Sequence, residues 1–171
     1  MKRSRIDVVL DPAYAHDLGS RSLDELGAMR TEVDDLENEV SFCRRVLHGR
    51  LDILRFEVRR RNGEDSRSVI EALPEVLAAG IGGGKGQGNA LDRLPADFAP
   101  ELPEVERRFP RVMDDDVLTR LPELGDDDLA LALDELGTLE ARISGQRTRL
   151  HDIHDLIVTE IAGRHVAVDP A

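Results

Sequence analysis

Aromatic side chains are scarce in this chain. They make up 3% of its residues, with one tyrosine, four phenylalanines and no tryptophan. Large rings usually fill thick globular cores, so their scarcity points towards long exposed helices instead. Cysteine is nearly absent too. Cys43 stands alone, so no internal disulfide can form; a reducing, cytoplasmic setting fits. No stretch approaches the ~20 apolar residues of a membrane span, so no membrane partner is expected. The opening MKRSRIDVVLDP is basic and then apolar, but its apolar run stops at Asp11, short of a signal peptide. Positive charge is also in deficit: 23 Lys and Arg against 35 Asp and Glu leave a net charge of −12. Direct binding to DNA or RNA, which needs a positive surface field, is not expected. A basic protein partner, or simple solubility, fits better.

What the chain does have is heptad order. Its 171 residues suffice for one ordinary domain. Residues 1–21 form an N-terminal lead, and 22–61 read as one long helix. Ser22 followed by Glu25 is a capping-box signature. Leu26, Met29, Val33, Leu36, Val40, Cys43 and Leu47 then recur three and four apart, and Leu54 extends the seam. Asn62–Gly63 closes the helix. Its 40 or so residues would span roughly 60 Å. A second long helix is expected over 126–163, opening on Asp126, Asp127 and Asp128, which suit the positive end of the helix dipole. Leu129, Ala132, Leu136, Leu139, Ile143, Leu150, Ile153 and Ile157 form its seam, and Gly163 is the expected stop before a tail over 164–171.

Between them, 62–125 reads as a connection rich in proline and glycine. It holds a short helix around Ser66–Ala79, which Pro74 should shorten or kink, and the linker-like run GIGGGKGQGN. Two heptad stripes in one chain need each other. The expected fold is all-α, an antiparallel two-stranded coiled-coil hairpin with a long, partly ordered Pro/Gly-rich connection. A parallel pair ranks second.

Five polar residues occur twice in register. Glu37, Ser41, Arg44, His48 and Asp52 return as Glu140, Ser144, Arg147, His151 and Asp155, at a constant offset of 103. Packing alone would keep the apolar positions and let the polar ones drift. At about 100° per residue, each set falls within an arc of roughly 80°. Each is therefore one polar line along the flank of an apolar seam. Antiparallel pairing can bring such flanks to the same side, related by an approximate twofold axis. The residue types suit a guanine nucleotide. Arg can grip the O6/N7 edge of guanine or a phosphate, and Asp can accept from guanine N1 and N2 hydrogens. Ser and His can complete either contact. A twofold-symmetric ligand with two guanines and two phosphates is cyclic di-GMP.

The pattern E-x3-S-x2-R-x3-[polar]-x3-D, present twice on two coiled-coil helices, closely resembles the RsiG family. These are cyclic-di-GMP-dependent anti-sigma factors of sporulating actinomycetes. SFCRRVLHGRLDIL resembles the family's first motif helix, and VVLDPAYAHDLGSRSLDEL resembles the segment leading into it. The resemblance implies cyclic di-GMP as ligand, bound as two molecules, with no further cofactor. It implies a sporulation-type, WhiG-like sigma factor as partner, held away from RNA polymerase. It also implies the ten repeated residues as the site. One departure stands out: the family's fourth place is usually Gln, and here it is His48 and His151. Protonation of an imidazole would make affinity sensitive to pH.

Plainer readings stand beside these. Each polar line also fits a solvated helix face with ordinary Glu–Arg pairs, and the whole chain fits a structural coiled-coil adaptor. Arg45, Arg50, Arg55, Arg59, Arg60 and Arg61 read as solvated surface. His151, His154 and Asp155 lack the further ligand a metal site would need, so no metal is expected and a hydrolase acting on a cyclic dinucleotide is disfavoured. Cys43 reads as a packed core thiol. GGGKG lacks the Ser or Thr of a phosphate loop, because Gly86 follows Lys85. Asp114, Asp115 and Asp116 read as helix-start acids. No catalytic constellation is visible, so no enzyme activity is expected.

Overall fold

The computed structural model describes residues 4–81 and 116–168. Its elements are α1 (Arg5–Val9), a 3-10 turn (Leu18–Ser20), α2 (Leu23–Arg61), α3 (Val69–Ile81), α4 (Asp116–Thr119) and α5 (Asp126–Val168). No strand occurs among the described residues. The fold is an all-α helical hairpin in which the two long helices, α2 and α5, pack against each other.

Local signals set the helix starts. Ser22 N–H donates to Glu25 Oε2 at 2.7 Å, and Glu25 N–H donates back to Ser22 Oγ at 3.2 Å. The same reciprocal box opens α1 with Ser4 and Asp7 and α3 with Ser68 and Glu71. Each box satisfies backbone donors that a helix start leaves without partners. At its far end α2 stops on Gly63, at φ 77°. Glu64 N–H reaches Arg59 O at 2.9 Å and Gly63 N–H reaches Arg60 O at 3.1 Å, the paired bonds of a Schellman motif.

The chain divides into two compact units, Met1–Ser41 with Ile143–Ala171, and Phe42–Arg142. In the first, Leu26, Val33, Leu36 and Val40 of α2 are buried, with Ile143, Leu150 and Ile157 of α5. Ile6, Val9 and Leu10 of the N-terminal lead join this core. In the second, Cys43, Leu47, Leu51 and Leu54 are buried, with Leu129, Leu136 and Leu139 of α5. Ala72 of α3 is buried too, and Leu77 Cδ2 lies 3.5 Å from where a Cβ on Gly49 would stand.

The helices are antiparallel within each unit. In the first, Asp34 meets His154 and Glu37 meets Arg147. In the second, Arg44 meets Glu140 and Arg61 meets Asp126. Charge explains the direction. Between 42 and 61, α2 carries seven arginines against Asp52 and Glu57. The facing stretch of α5, 126–142, carries six carboxylates and only Arg142. A parallel pair would instead set that acidic stretch beside the acidic first half of α2.

Three expectations change. Gly163 does not stop the second helix, which runs on to Val168. A glycine inside a helix costs only about 1 kcal/mol, and Arg164 offsets it. Arg164 pairs with Glu160 at 2.8 Å and donates to the carbonyls of Leu18, Gly19 and Arg21. The short helix of the connection runs over Val69–Ile81, with Pro74 inside it. Arg60 and Arg61 are not simply solvated. Both grip Glu57, whose side chain is 2% exposed. Arg61 also donates to the carbonyls of Leu121 and Leu124 and to Asp126, which ties the approach to α5 onto the end of α2. Most of the glycine-rich run, and Asp114 and Asp115, lie outside the described residues.

Candidate functional site

All ten repeated residues are described, and their Glu, Arg, His and Asp side chains assemble into two half-sites, one per unit. In the Phe42–Arg142 unit, Glu140 of α5 accepts from two side chains of α2. Arg44 Nε reaches its Oε1 at 3.1 Å, and His48 Nε2 reaches the same oxygen at 2.8 Å. An ionised carboxylate only accepts, so Nε2 of His48 carries the hydrogen in this contact. Asp52 lies one turn further along and pairs with Arg55, Nη1 to Oδ1 3.4 Å.

In the other unit the roles repeat with the helices exchanged. Glu37 of α2 faces two side chains of α5, Arg147 Nη2 at 3.7 Å and His151 Nδ1 at 3.9 Å. Arg147 Nε donates to Ser41 Oγ at 3.1 Å. His151 Nε2 lies 3.8 Å from Asp155 Oδ2. Each half-site thus mixes the two copies: the Glu of one meets the Arg and His of the other. Helix spacing places each set on a line; only the antiparallel register brings the lines together.

Chemically, each half-site offers a guanidinium, an imidazole, a hydroxyl or carboxylate acceptor, and an internal carboxylate facing the two donors, hydrogen-bonded to both at Glu140 and at longer range at Glu37. Such a cluster can exchange its own carboxylate for an anionic ligand group, because the donors are formed and pointed before the ligand arrives. Its ion pairs are partly exposed, so each adds only about 0–1 kcal/mol to stability.

Sequence reasoning missed two neighbours. His154 Nε2 lies 3.3 Å from Asp34 Oδ1 and its Nδ1 lies 3.4 Å from Asp155 Oδ1. Its signal was present in the i, i+3 spacing from His151; the partner Asp34 shows only once the helices are paired. Glu57 gave no signal, since Glu followed by Arg at i+3 and i+4 reads as ordinary surface. Among the described residues no group of three or more His, Cys, Asp or Glu could hold a metal ion.

Fold and site together define an all-helical hairpin protein with a twice-built Glu–Arg–His cluster. Residues 12–77 match the model of the RsiG-like family, and over that stretch the chain is similar to it. The match takes in part of the lead, all of α2 and most of α3, and with them the first copy of the repeat, Glu37 to Asp52. The second copy, Glu140 to Asp155, lies beyond it and rests on the internal repeat. No curated protein matches the chain significantly. An RsiG-like region suggests an anti-sigma role, a regulatory and non-enzymatic one, with a sigma factor as partner. No described helix is long and apolar enough to cross a membrane.

Proposed function

We propose that this protein is a cyclic-di-GMP-responsive anti-sigma factor that holds a sporulation-type, WhiG-like sigma factor away from RNA polymerase in the cytoplasm. The observation that supports it most is the exchange of partners between copies. Arg44 and His48 hold Glu140, and Arg147 and His151 face Glu37. Two half-sites of one chemistry suit a ligand that presents two guanines and two phosphates. Arg44 and Arg147 would take phosphate oxygens or a guanine O6/N7 edge. Asp52 and Asp155 would accept from guanine N1 and N2 hydrogens. Ser41 and Ser144 would complete the polar contacts. Two ligand molecules, stacked on each other, would bring enough anionic charge to replace both internal carboxylates.

The test is calorimetry with cyclic di-GMP on the full chain, followed by co-purification with a WhiG-like sigma factor with and without the ligand. Saturable heat, and a complex that needs the ligand, are expected. A helical protein that gives no heat would sink the ligand reading and leave a structural adaptor. Release of a linear dinucleotide would point to a hydrolase instead.

A further inference from the structure

The two half-sites differ at the neighbour of their fifth residue. Asp52 pairs with Arg55, and Asp155 pairs with His154, each at 3.4 Å. Neither neighbour belongs to the repeat. At the offset of 103, the counterpart of His154 is Leu51, and that of Arg55 is Val158. Leu51 is buried in the seam, so the second unit has no room for a polar group there.

His154 is also held from across the hairpin. Its Nε2 faces Asp34 of α2 at 3.3 Å, and the counterpart of Asp34 is Gly137. The imidazole therefore sits between two carboxylates from two helices. Its ring lies nearly parallel to that of His151, centroids 6.4 Å apart. His151 in turn faces Asp155 and Glu37. A metal does not explain the cluster. The two nitrogens of His154 leave the ring in different directions, each towards its own carboxylate, so no single cation reaches both carboxylates through this ring.

We propose that His154 is the positioning residue for Asp155, and that it gives this half-site a proton-sensitive contact at its fifth residue that the other lacks. The inference rests on the cyclic di-GMP reading and adds a regulatory input to it. An imidazolium donates at both nitrogens, so one protonated ring holds Asp34 and Asp155 together. A neutral ring has one N–H and one lone pair, so one carboxylate then faces a lone pair and turns away. Arg55 keeps its protons at every physiological pH, and Asp52 is held throughout. Asp155 should thus be set for guanine while the ring is protonated, and looser once it is neutral.

Two variants of the full chain separate His154 from His48 and His151. His154→Leu installs the residue of the equivalent position, and His154→Arg installs a fixed charge. The first measurement is the side-chain carboxyl carbon signal of Asp155 between about pH 5 and 8, without ligand. An inflection in the imidazole range is expected to be clearly larger in the wild type than in His154→Leu, where only His151, 3.8 Å from Asp155 Oδ2, remains beside it. The same curve in both proteins would overturn the proposal. The second is calorimetry with cyclic di-GMP over the same range. Wild-type affinity should fall roughly threefold to tenfold more across it than that of His154→Arg; equal slopes would overturn the role in binding. Absence of binding in all three proteins would overturn the ligand reading and, with it, this use of His154. The carboxyl titration, which needs no ligand, tells that failure apart from an error about the His154–Asp155 contact.

Discussion

The same four residue types, Glu, Arg, His and Asp, build both half-sites, yet the two are not equally tight. Around Glu140 the donors stand at 3.1 and 2.8 Å; around Glu37 they stand at 3.7 and 3.9 Å. His48 is 34% exposed and His151 61%. The surroundings account for the difference. The Phe42–Arg142 unit adds α3, with Leu77 against the backbone at Gly49, next to His48. The other unit adds the N-terminal lead, held by arginines that donate to its carbonyls: Arg149 to Leu10, and Arg164 to Leu18, Gly19 and Arg21. Duplication fixes which groups are present. What covers them sets how strongly they hold each other, since a contact shielded from water gains more from the same charges.

The largest effect should come from removing the buried anchor of the tighter unit. Glu57 accepts from Arg60 at 2.7 and 2.8 Å and from Arg61 at 2.7 Å. Glu57→Ala removes a buried, doubly held carboxylate but leaves Arg60 and Arg61 partly exposed, so the cost should be about 2–3 kcal/mol, the range of a hydrogen bond to a charged group, and the melting temperature should fall by roughly 5–10 °C. Amide exchange should rise first in Phe42–Arg142, while the lead stays protected by Arg149 and Arg164. Uniform loss of protection would show that the anchor serves both units alike. The pH dependence has a definite sign. Hydrogen bonds from Arg60, ahead of those from Arg61, hold the Glu57 carboxyl below its usual 4.5. A carboxylate depressed on folding stabilises fully above its unfolded value and loses that contribution as pH falls through the folded one. The stability gap between wild type and Glu57→Gln, followed by circular dichroism, should therefore hold above about pH 5 and close as pH drops below about 4.

Glu57 also marks the limit of what the sequence makes legible. Both seams, the cap at Ser22, the helix start at Asp126, the Asn62–Gly63 stop and the all-α hairpin can be read directly, because heptad spacing and capping chemistry are local. The ten repeated residues are legible as a set, because their spacing is. Burial of Glu57 is not, since it depends on Arg60 and Arg61 turning back onto it, with Arg61 held in turn by the carbonyls of Leu121 and Leu124. The continuation past Gly163 depends on Arg164 finding the carbonyls of a segment more than 140 residues earlier. The meeting of Glu37 with Arg147, and of Asp34 with His154, needs the register of one helix against the other, which neither helix encodes alone.

A second prediction sharpens the contrast at the ligand. If cyclic di-GMP uses both half-sites, Arg44→Ala should cost roughly 30-fold in affinity, the ~2 kcal/mol of a charge-assisted hydrogen bond in a partly covered setting. Arg147→Ala, from the more exposed copy, should cost roughly fivefold to tenfold. Neither should move the melting temperature by more than about 2 °C, because partly exposed ion pairs add so little. Equal losses in calorimetry would mean that the bound ligand evens out the two environments. No loss in either variant would remove the repeat from the site.

The smallest effect tests what holds the looser unit. Arg164 donates to three backbone carbonyls of the lead and pairs with Glu160. Its guanidinium fork meets the carbonyls at the end of the 3-10 turn at Leu18–Ser20, where Leu18 O also accepts from Arg21 N–H at 3.1 Å. Arg164→Ala removes that cap but leaves Ile6, Val9 and Leu10 in the core, so the cost should be about 1 kcal/mol. Limited proteolysis should then open near Gly19–Arg21 several times faster, with cleavage in Phe42–Arg142 unchanged. Cyclic di-GMP affinity should stay within about twofold, since the residue lies more than two turns past Asp155. A protease pattern identical to wild type would show that apolar burial alone seats the lead. The looseness of the Glu37 half-site would then have to arise from α2 and α5 themselves.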